Sequence, residues 1–216
     1  MPKLKLYYPL ERIFVTQNFG ECMASVCQGY KDMGLKGHNG IDYIAKDGTP
    51  VYASHDGTVV FAGEDGTAGL GVVIRTDEEV EFLDRTAYAK TIYWHLKVGS
   101  ICVHAGSKVK VGDKIGEADN TGFSTGSHLH FGLKPVYKGE NDWTWTNAEQ
   151  ENGYKGAVDP NPYFTGATAI GYKSSHDLTD TIAALDSVMQ NTKEGPSKVA
   201  IQMVIKVLLI LLGSKK

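Results

Sequence analysis

Short runs of β-branched and aromatic residues, separated by turn residues, occupy the first three quarters of the chain. The runs lie at residues 51–53, 57–62, 71–75, 91–96, 109–116 and 129–133, with the turn signal His55-Asp56-Gly57 between the first two. Strands at this spacing favour antiparallel sheets over alternating strands and helices. The pattern therefore predicts a mainly β domain.

The hydrophobic period lengthens after residue 164, where apolar residues recur at intervals of three and four. The positions with this helical spacing are Leu178, Ile182, Leu185 and Val188. Residues 191–196 break the pattern, and a second, more apolar helix is predicted over residues 197–212. We expect a β domain at residues 1–166 and a C-terminal helical hairpin at residues 167–216. The hairpin either completes the core or uses its apolar faces for an oligomer, virion or membrane contact.

Two segments are predicted to be surface insertions. Residues 76–89 are acidic and lie between two strands, and residues 137–154 carry Trp143 and Trp145 among many polar residues. Loops of this length are often functional. The two tryptophans either grip a substrate or cover an exposed edge of the core.

The net charge bears on which partners are expected, and the glycine content bears on the fold. A net charge of −3 and a pI near 6.2 give no basic surface for nucleic acid, so no such partner is expected. The 25 glycines suit many tight turns.

Three cysteines do not form a disulfide framework. Cys22 and Cys27 lie close enough in sequence to bridge, but bridging depends on geometry and would leave Cys102 over. We therefore expect free thiols.

The N-terminal residues lack an apolar segment of signal-peptide length before Glu11 and Arg12, so no export signal is expected. The longest apolar run, residues 199–212, would reach about 21 Å as a helix, short of a bilayer core of about 30 Å.

Four of the seven histidines lie in three short motifs, which are HNGID at residues 38–42, YWHL at 93–96 and GSHLHF at 126–131. If residues 127–133 form a strand, His128 and His130 project from one face while Leu129 and Phe131 project from the other. His38 and Asp42 add a second pair of ordinary zinc ligands. A catalytic zinc site needs three protein ligands and one open position, so these motifs offer enough ligands with residues to spare for catalysis.

Glycine-rich segments surround these histidines in a fixed order: GHNGIDY at residues 37–43, GTPVYA at 48–53, DGTV at 56–59, GSKVKVGDKIG at 106–116 and TGFSTGSHLHF at 121–131. In these motifs and their order, the chain resembles the lysostaphin-type zinc endopeptidases over roughly residues 14–164. The resemblance implies antiparallel sheets of the duplicated-hybrid-motif type that form a groove with zinc at its floor.

The same resemblance implies roles for five residues. His38, Asp42 and His130 would bind one Zn²⁺ per chain, and His95 and His128 would be catalytic. The implied substrate is the peptide part of bacterial peptidoglycan, which is hydrolysed by zinc-activated water. Because that substrate lies outside the cytoplasmic membrane, a phage-encoded enzyme, released by host lysis or carried in the virion, is one expectation, and unconventional secretion is the other.

Several points stay open at this level. The sequence does not say which of His95 and His128 is the general base, whether Tyr30 assists an oxyanion or only packs, or which peptidoglycan bond is cut. His55, His104 and His176 are expected to be structural or solvent-exposed. The alternative function is a catalytically silent relative that binds cell wall or activates a partner, although all five site positions are intact.

Overall fold

A computed structural model describes residues 1–24, 26–139, 145–148, 150–191 and 196–213. It divides into two compact units, Met1–Ile170 and Gly171–Lys216. The first unit is a β domain, and the second is formed by helical residues.

The strands of the first unit are short, as the turn-rich sequence predicts. They are β1 (Leu6–Tyr8), β2 (Val15–Gln17), β3 (Ile41–Ile44), β4 (Pro50–Tyr52), β5 (Gly57–Asp65), β6 (Gly69–Arg75), β7 (Val80–Glu81), β8 (Thr86–Trp94), β9 (Lys108–Val109), β10 (Lys114–Glu117), β11 (His128–Lys138), β12 (Trp145–Asn147) and β13 (Phe164–Thr168). Helix α1 (Cys27–Asp32) lies between β2 and β3, and a 3₁₀ turn (Asn161–Tyr163) precedes β13.

One large antiparallel sheet, in the order β2-β3-β11-β8-β6-β5-β9, forms the centre of this unit. Strand β12 pairs with the end of β11, β7 pairs with β8, and β4 pairs with β10 in a small separate sheet. Among the described residues, β1 and β13 are the only two strands that pair in parallel, and a single parallel bridge joins Lys3 to Glu81. The mainly β, antiparallel fold predicted from the sequence is confirmed.

The two faces of the central sheet differ in character because side chains alternate along each strand. Leu129, Phe131 and Leu133 of β11 are fully buried and pack in the core with Tyr43 and Tyr93. His128 and His130 therefore project from the other face, as the alternation predicts.

The prediction that residues 76–89 form a surface insertion is wrong in part. They contain β7 and the start of β8, which pair with each other, and Val80, Phe82 and Ala87 are buried in the core. The acidic residues between them hid this short apolar alternation.

The second predicted insertion, residues 137–154, continues β11 and then returns as β12, with Tyr137 opposite Thr146. Trp143 lies outside the described residues, and so does the side chain of Trp145. The predicted role of the two tryptophans therefore stays a prediction.

The expectation of free thiols at Cys22 and Cys27 is wrong, because these residues form a disulfide with a Cα–Cα distance of 4.7 Å. The turn before α1 brings the two backbones within the range that a disulfide requires. Cys102 is free and exposed, as predicted.

The predicted tail helices are α2 (Ala169–Asn191) and α3 (Pro196–Gly213). Their predicted break falls mostly on residues 192–195, outside the described residues. Among the residues that are described, no helix has both the length and the apolar character needed to cross a bilayer.

Candidate metal centre

Antiparallel pairing of β3 with β11 brings Asp42 directly opposite His130. His38 lies in the turn that leads into β3, four residues before Asp42. The Nε2 atom of His38 is 2.9 Å from Nδ1 of His130 and 3.1 Å from Oδ1 of Asp42, and the last two atoms are 3.0 Å apart. Three donor atoms from two distant segments of the sequence therefore form a nearly equilateral triangle.

This triangle fits one metal ion. Around a tetrahedral zinc with ligand distances of about 2.0 Å, neighbouring ligand atoms are about 3.3 Å apart. Two imidazole nitrogens and one carboxylate oxygen are also a usual donor set for that ion. The side chains of His38, Asp42 and His130 are only 3%, 13% and 12% exposed, so a bound ion would be shielded on the protein side.

Hydrogen bonding and close packing orient both imidazoles of the triangle. The Nδ1–H group of His38 donates to the carbonyl oxygen of Asn18 at 3.2 Å, which leaves the lone pair of Nε2 directed into the triangle. The ring of His130 lies against Gly40, where an added Cβ would be 2.6 Å from the Cε1 atom of that ring. Gly40 is therefore needed for the position of His130.

Asp42 remains a carboxylate in this environment. Burial by itself raises its pKa, but the imidazoles of His130 and His38, whose ring nitrogens lie 3.0 and 3.1 Å from Oδ1 of Asp42, outweigh burial and hold the pKa well below its usual range. The site therefore offers one anionic carboxylate and two imidazole rings to a divalent cation.

His95 and His128 lie beside this triangle. Their ring centroids are 4.5 Å apart, and the His95 and His130 centroids are 6.1 Å apart. The Nε2 atom of His128 is 3.6 Å from Oδ2 of Asp42. The structure thus brings all five residues singled out in the sequence into one place.

Both of these histidines are fixed by backbone carbonyls. The Nδ1–H group of His95 donates to Thr121 at 2.7 Å, and the Nδ1–H group of His128 donates to Gly126 at 2.7 Å. In the neutral form of either ring, Nε2 is then the atom with the lone pair. Burial lowers the pKa of His95 to about 4, so this ring is neutral at neutral pH and can accept a hydrogen bond.

His95 also has a backbone conformation that non-glycine residues rarely adopt, with φ of 66°. It follows the last residue of β8, where the chain leaves the sheet and turns towards the Thr121 segment. Such backbone strain costs on the order of 1–3 kcal/mol and is concentrated at functional sites.

A cavity of about 410 Å³ opens over the five residues. One wall is formed by α1 and the residues after it, including Tyr30 and Leu35, and another by the segment around Phe123. Tyr30 stacks on His38 with ring centroids 5.7 Å apart and donates its hydroxyl proton to Gln17 Oε1 at 2.8 Å. This places Tyr30 at the cavity with its hydroxyl already in a buried hydrogen bond.

Two of the remaining histidines, His55 and His104, are not part of the cavity lining. His55 is buried on the core side, where its Nε2 atom is 2.9 Å from Oγ1 of Thr91, and His104 is exposed. The side chain of His176 lies outside the described residues.

Sequence reasoning missed Asn18, Thr121 and Gln17, which orient His38, His95 and Tyr30. Two of the three act through a backbone carbonyl, so their residue type carries no signal. Only the loop position of these segments, close to the histidine motifs in the fold, could have identified them.

Comparison with known proteins identifies relatives of this site. The sequence profile of peptidase family M23 matches residues 36–142, which include all five site residues. Peptidoglycan DD-endopeptidase ShyA of Vibrio cholerae is 42% identical over 96 residues, which is 44% of this chain and 20% of ShyA. DD-carboxypeptidase/endopeptidase Mpg of Neisseria meningitidis is 34% identical over 147 residues, 68% of this chain and 29% of Mpg. The chain thus spans less than a third of each of these two relatives.

The solved catalytic domain of the antimicrobial peptidase lysostaphin from Staphylococcus simulans has the same fold. It superposes with a TM-score of 0.50 at 25% sequence identity, covering 70% of this chain and 91% of that domain.

Proposed function

The chain belongs to peptidase family M23 through residues 36–142, and on this premise we propose that it is a zinc-dependent endopeptidase acting on the peptides of bacterial peptidoglycan. The observation that carries this proposal is the triangle of donor atoms from His38, Asp42 and His130, with sides of 2.9–3.1 Å. The two neighbouring histidines, each with a free Nε2 atom, support catalysis over metal storage.

His38, Asp42 and His130 would hold the zinc. When bound, the ion supplies a Lewis acid that lowers the pKa of a water molecule and polarises a carbonyl group. The protein contributes an anionic Asp42, which offsets part of the metal charge, and a cavity of about 410 Å³ over the site.

His95 and His128 handle protons and hydrogen bonds in this proposal. Each ring is held through Nδ1 by a carbonyl, so Nε2 of either can accept a proton from water and later donate it to the leaving amine. The imidazolium formed in this way also donates a hydrogen bond to negative charge that develops on the scissile carbonyl oxygen.

The substrate follows from the relatives. ShyA and Mpg are both named as acting on DD bonds, which favours cross-links between two D-residues over glycine bridges as the bond that is cut. The cavity of about 410 Å³ has room for a few residues of a peptide.

The direct test uses the full chain loaded with zinc and two kinds of purified peptidoglycan, one cross-linked directly and one through glycine bridges. Mass spectrometry should detect fragments cut at D,D cross-links in the first wall and intact glycine bridges in the second. A zinc-loaded protein that releases nothing from either wall would contradict the proposal and favour the catalytically silent alternative.

The role of His95 can be tested separately from metal binding. His95→Ala should keep zinc, because its nearest ligand neighbour is a ring whose centroid is 6.1 Å away, and should lose turnover. His104→Ala, which removes an exposed histidine, is the matched control. Full hydrolysis by His95→Ala would remove this residue from the mechanism.

The biological setting is a further part of the proposal. We place the enzyme at the cell wall, encoded by a phage or secreted, with the helical tail available for an oligomer, virion or membrane contact. Removal of residues 171–216, followed by measurement of oligomeric state and vesicle binding, tests the tail. If the full chain and the truncated variant are both monomers and neither binds vesicles, the oligomer and membrane contacts would be contradicted.

A further inference from the structure

Two lysines lie on the same face of the central sheet as the metal-ligand triangle. Along β11, His130, Gly132 and Lys134 alternate onto one face, so Lys134 is about 13 Å along the strand from His130. Lys90 of β8 is directly opposite Lys134 in an unbroken antiparallel register. The two side chains are therefore neighbours on the sheet.

This pairing is unfavourable in the isolated protein. Like charges directly opposite each other destabilise a sheet, and both side chains are half-buried. No salt bridge joins either ammonium group to a carboxylate of the described residues. Burial lowers the pKa of Lys134 to about 8, and the positive charges of Lys90 and Lys155 lower it further. Burial also lowers the pKa of Lys90, and the positive charge of Arg75 adds to this effect. Positive charge is thus concentrated here without an internal counter-ion.

Lys155 connects the lysine pair to the cavity. It is exposed and belongs to the cavity lining, and its charge acts on Lys134. Its backbone has φ of 51°, and its carbonyl oxygen accepts a hydrogen bond from Asn147 of β12. Lys90 and Lys134 are not part of the cavity lining, so a ligand in the cavity would reach them by extending beyond it at Lys155.

We propose that Lys90, Lys134 and Lys155 form a carboxylate-binding subsite next to the metal-ligand cavity, which holds a free carboxylate of an acidic peptide substrate. The substrate role of this subsite rests on the proposed peptidase function, whereas its binding of carboxylate does not. A carboxylate would supply the missing counter-ion and accept charge-assisted hydrogen bonds from two ammonium groups at once. The subsite would thus select peptides by a charge located away from the bond that is cut.

The test measures binding of three acetylated, alanine-based pentapeptides to the full zinc-loaded chain by calorimetry or NMR titration. The first has one glutamate and an amidated C-terminus. The second has glutamine in its place and a free C-terminal carboxylate, and the third has neither charge. At least one acidic peptide should bind about tenfold more tightly than the neutral one, and the better of the two identifies the source of the carboxylate.

Three variants locate the binding. Lys90→Gln combined with Lys134→Gln should remove the preference for acidic peptides, and Lys155→Gln should reduce it. Because the double variant relieves like-charge repulsion, its thermal midpoint should not fall. Lys155→Gln changes only an exposed side chain, so it tests the subsite if the double variant does not fold. Lys110→Gln removes the same charge from an exposed position after β9 and should keep the preference.

Equal binding of all three peptides would overturn the subsite. The subsite would also be overturned if Lys110→Gln lost the preference for acidic peptides as fully as the double variant does. A preference that persists in the double variant but disappears on chelation would place the carboxylate on the metal and would also overturn it. Hydrolysis of peptidoglycan is measured in parallel. Lysine-dependent binding without hydrolysis would reject the proposed function and support the subsite. Hydrolysis without any carboxylate preference would support the proposed function and reject the subsite.

Discussion

The two faces of the central sheet both contain buried histidines, but in different surroundings. On the cavity face, His38 and His130 share Oδ1 of Asp42 and converge on one point. On the core face, Nδ1–H of His55 donates to the carbonyl of Asp56 at 2.8 Å, and its Nε2 atom is 2.9 Å from Oγ1 of Thr91. A carboxylate, converging lone pairs and an adjoining cavity distinguish a metal site from a buried structural histidine, whereas burial does not.

The sharpest test of this difference replaces one residue on the cavity face. His130→Ala should lose bound zinc and reduce hydrolysis to background, because it removes one of three ligands and leaves Asp42 with a single histidine. Metal analysis and the peptidoglycan assay measure the two effects. Retention of one zinc per chain by this variant would show that His130 is not a ligand.

The adjacent residue on the core face should behave in the opposite way. Phe131 is fully buried between Tyr93 and Phe164, so Phe131→Ala should lower the unfolding free energy by about 3–5 kcal/mol. Where the variant is folded, it should still bind zinc. Chemical denaturation of the metal-free protein measures the change.

Phe14→Ala provides the control, because Phe14 is 63% exposed and its loss should change stability by about 0.5 kcal/mol or less. A similar loss in the two variants would mean that Phe131 does not anchor the core.

A smaller perturbation acts on the cavity face without changing a ligand. In Gly40→Ala the new methyl group would meet the His130 ring at 2.6 Å and the carbonyl oxygen of Phe131 at 2.5 Å. We expect zinc affinity to fall by about 10–100-fold, the usual effect of disturbing the groups that orient a ligand. Competition with a chromophoric chelator measures this.

Gly66→Ala is the matched control, because an added Cβ there meets nothing within 4 Å. Unchanged zinc affinity in Gly40→Ala would show that the His130 ring is not positioned by its contact with Gly40.

The sequence was sufficient to predict which side chains of β11 are buried and which five residues lie together at the candidate site. The alternation in His128-Leu129-His130-Phe131 predicts which side chains are buried, since a strand has a period of two residues. Order and spacing of the histidine motifs also brought together five residues that the fold places at one cavity.

What the sequence did not reveal depends on contacts between distant parts of the backbone. The carbonyls of Asn18 and Thr121 orient His38 and His95, and any residue type could supply them. The Cys22–Cys27 disulfide depends on a local turn, and the acidic residues around Val80 and Phe82 masked a buried hairpin. In each case the determining quantity is a distance that residue type does not encode.

The smallest predicted effect is the contribution of His55, on the core face, to the pH dependence of the unfolding free energy. Burial lowers the pKa of His55, so the folded protein binds fewer protons at this residue than the unfolded chain does. The unfolding free energy should therefore fall as pH drops below the unfolded histidine pKa of about 6.5, and His55 should contribute a slope of at most about 1.4 kcal/mol per pH unit.

His55→Gln lowers stability at neutral pH as well, so the slope between pH 7 and about 5.5, measured on the metal-free protein, is the informative quantity. That slope should be shallower in His55→Gln and unchanged in His104→Gln, which removes an exposed histidine. An identical slope in the wild type and His55→Gln would mean that His55 binds protons equally in the folded and unfolded chains. The pH sensitivity of the fold between pH 7 and about 5.5 would then come from groups other than His55.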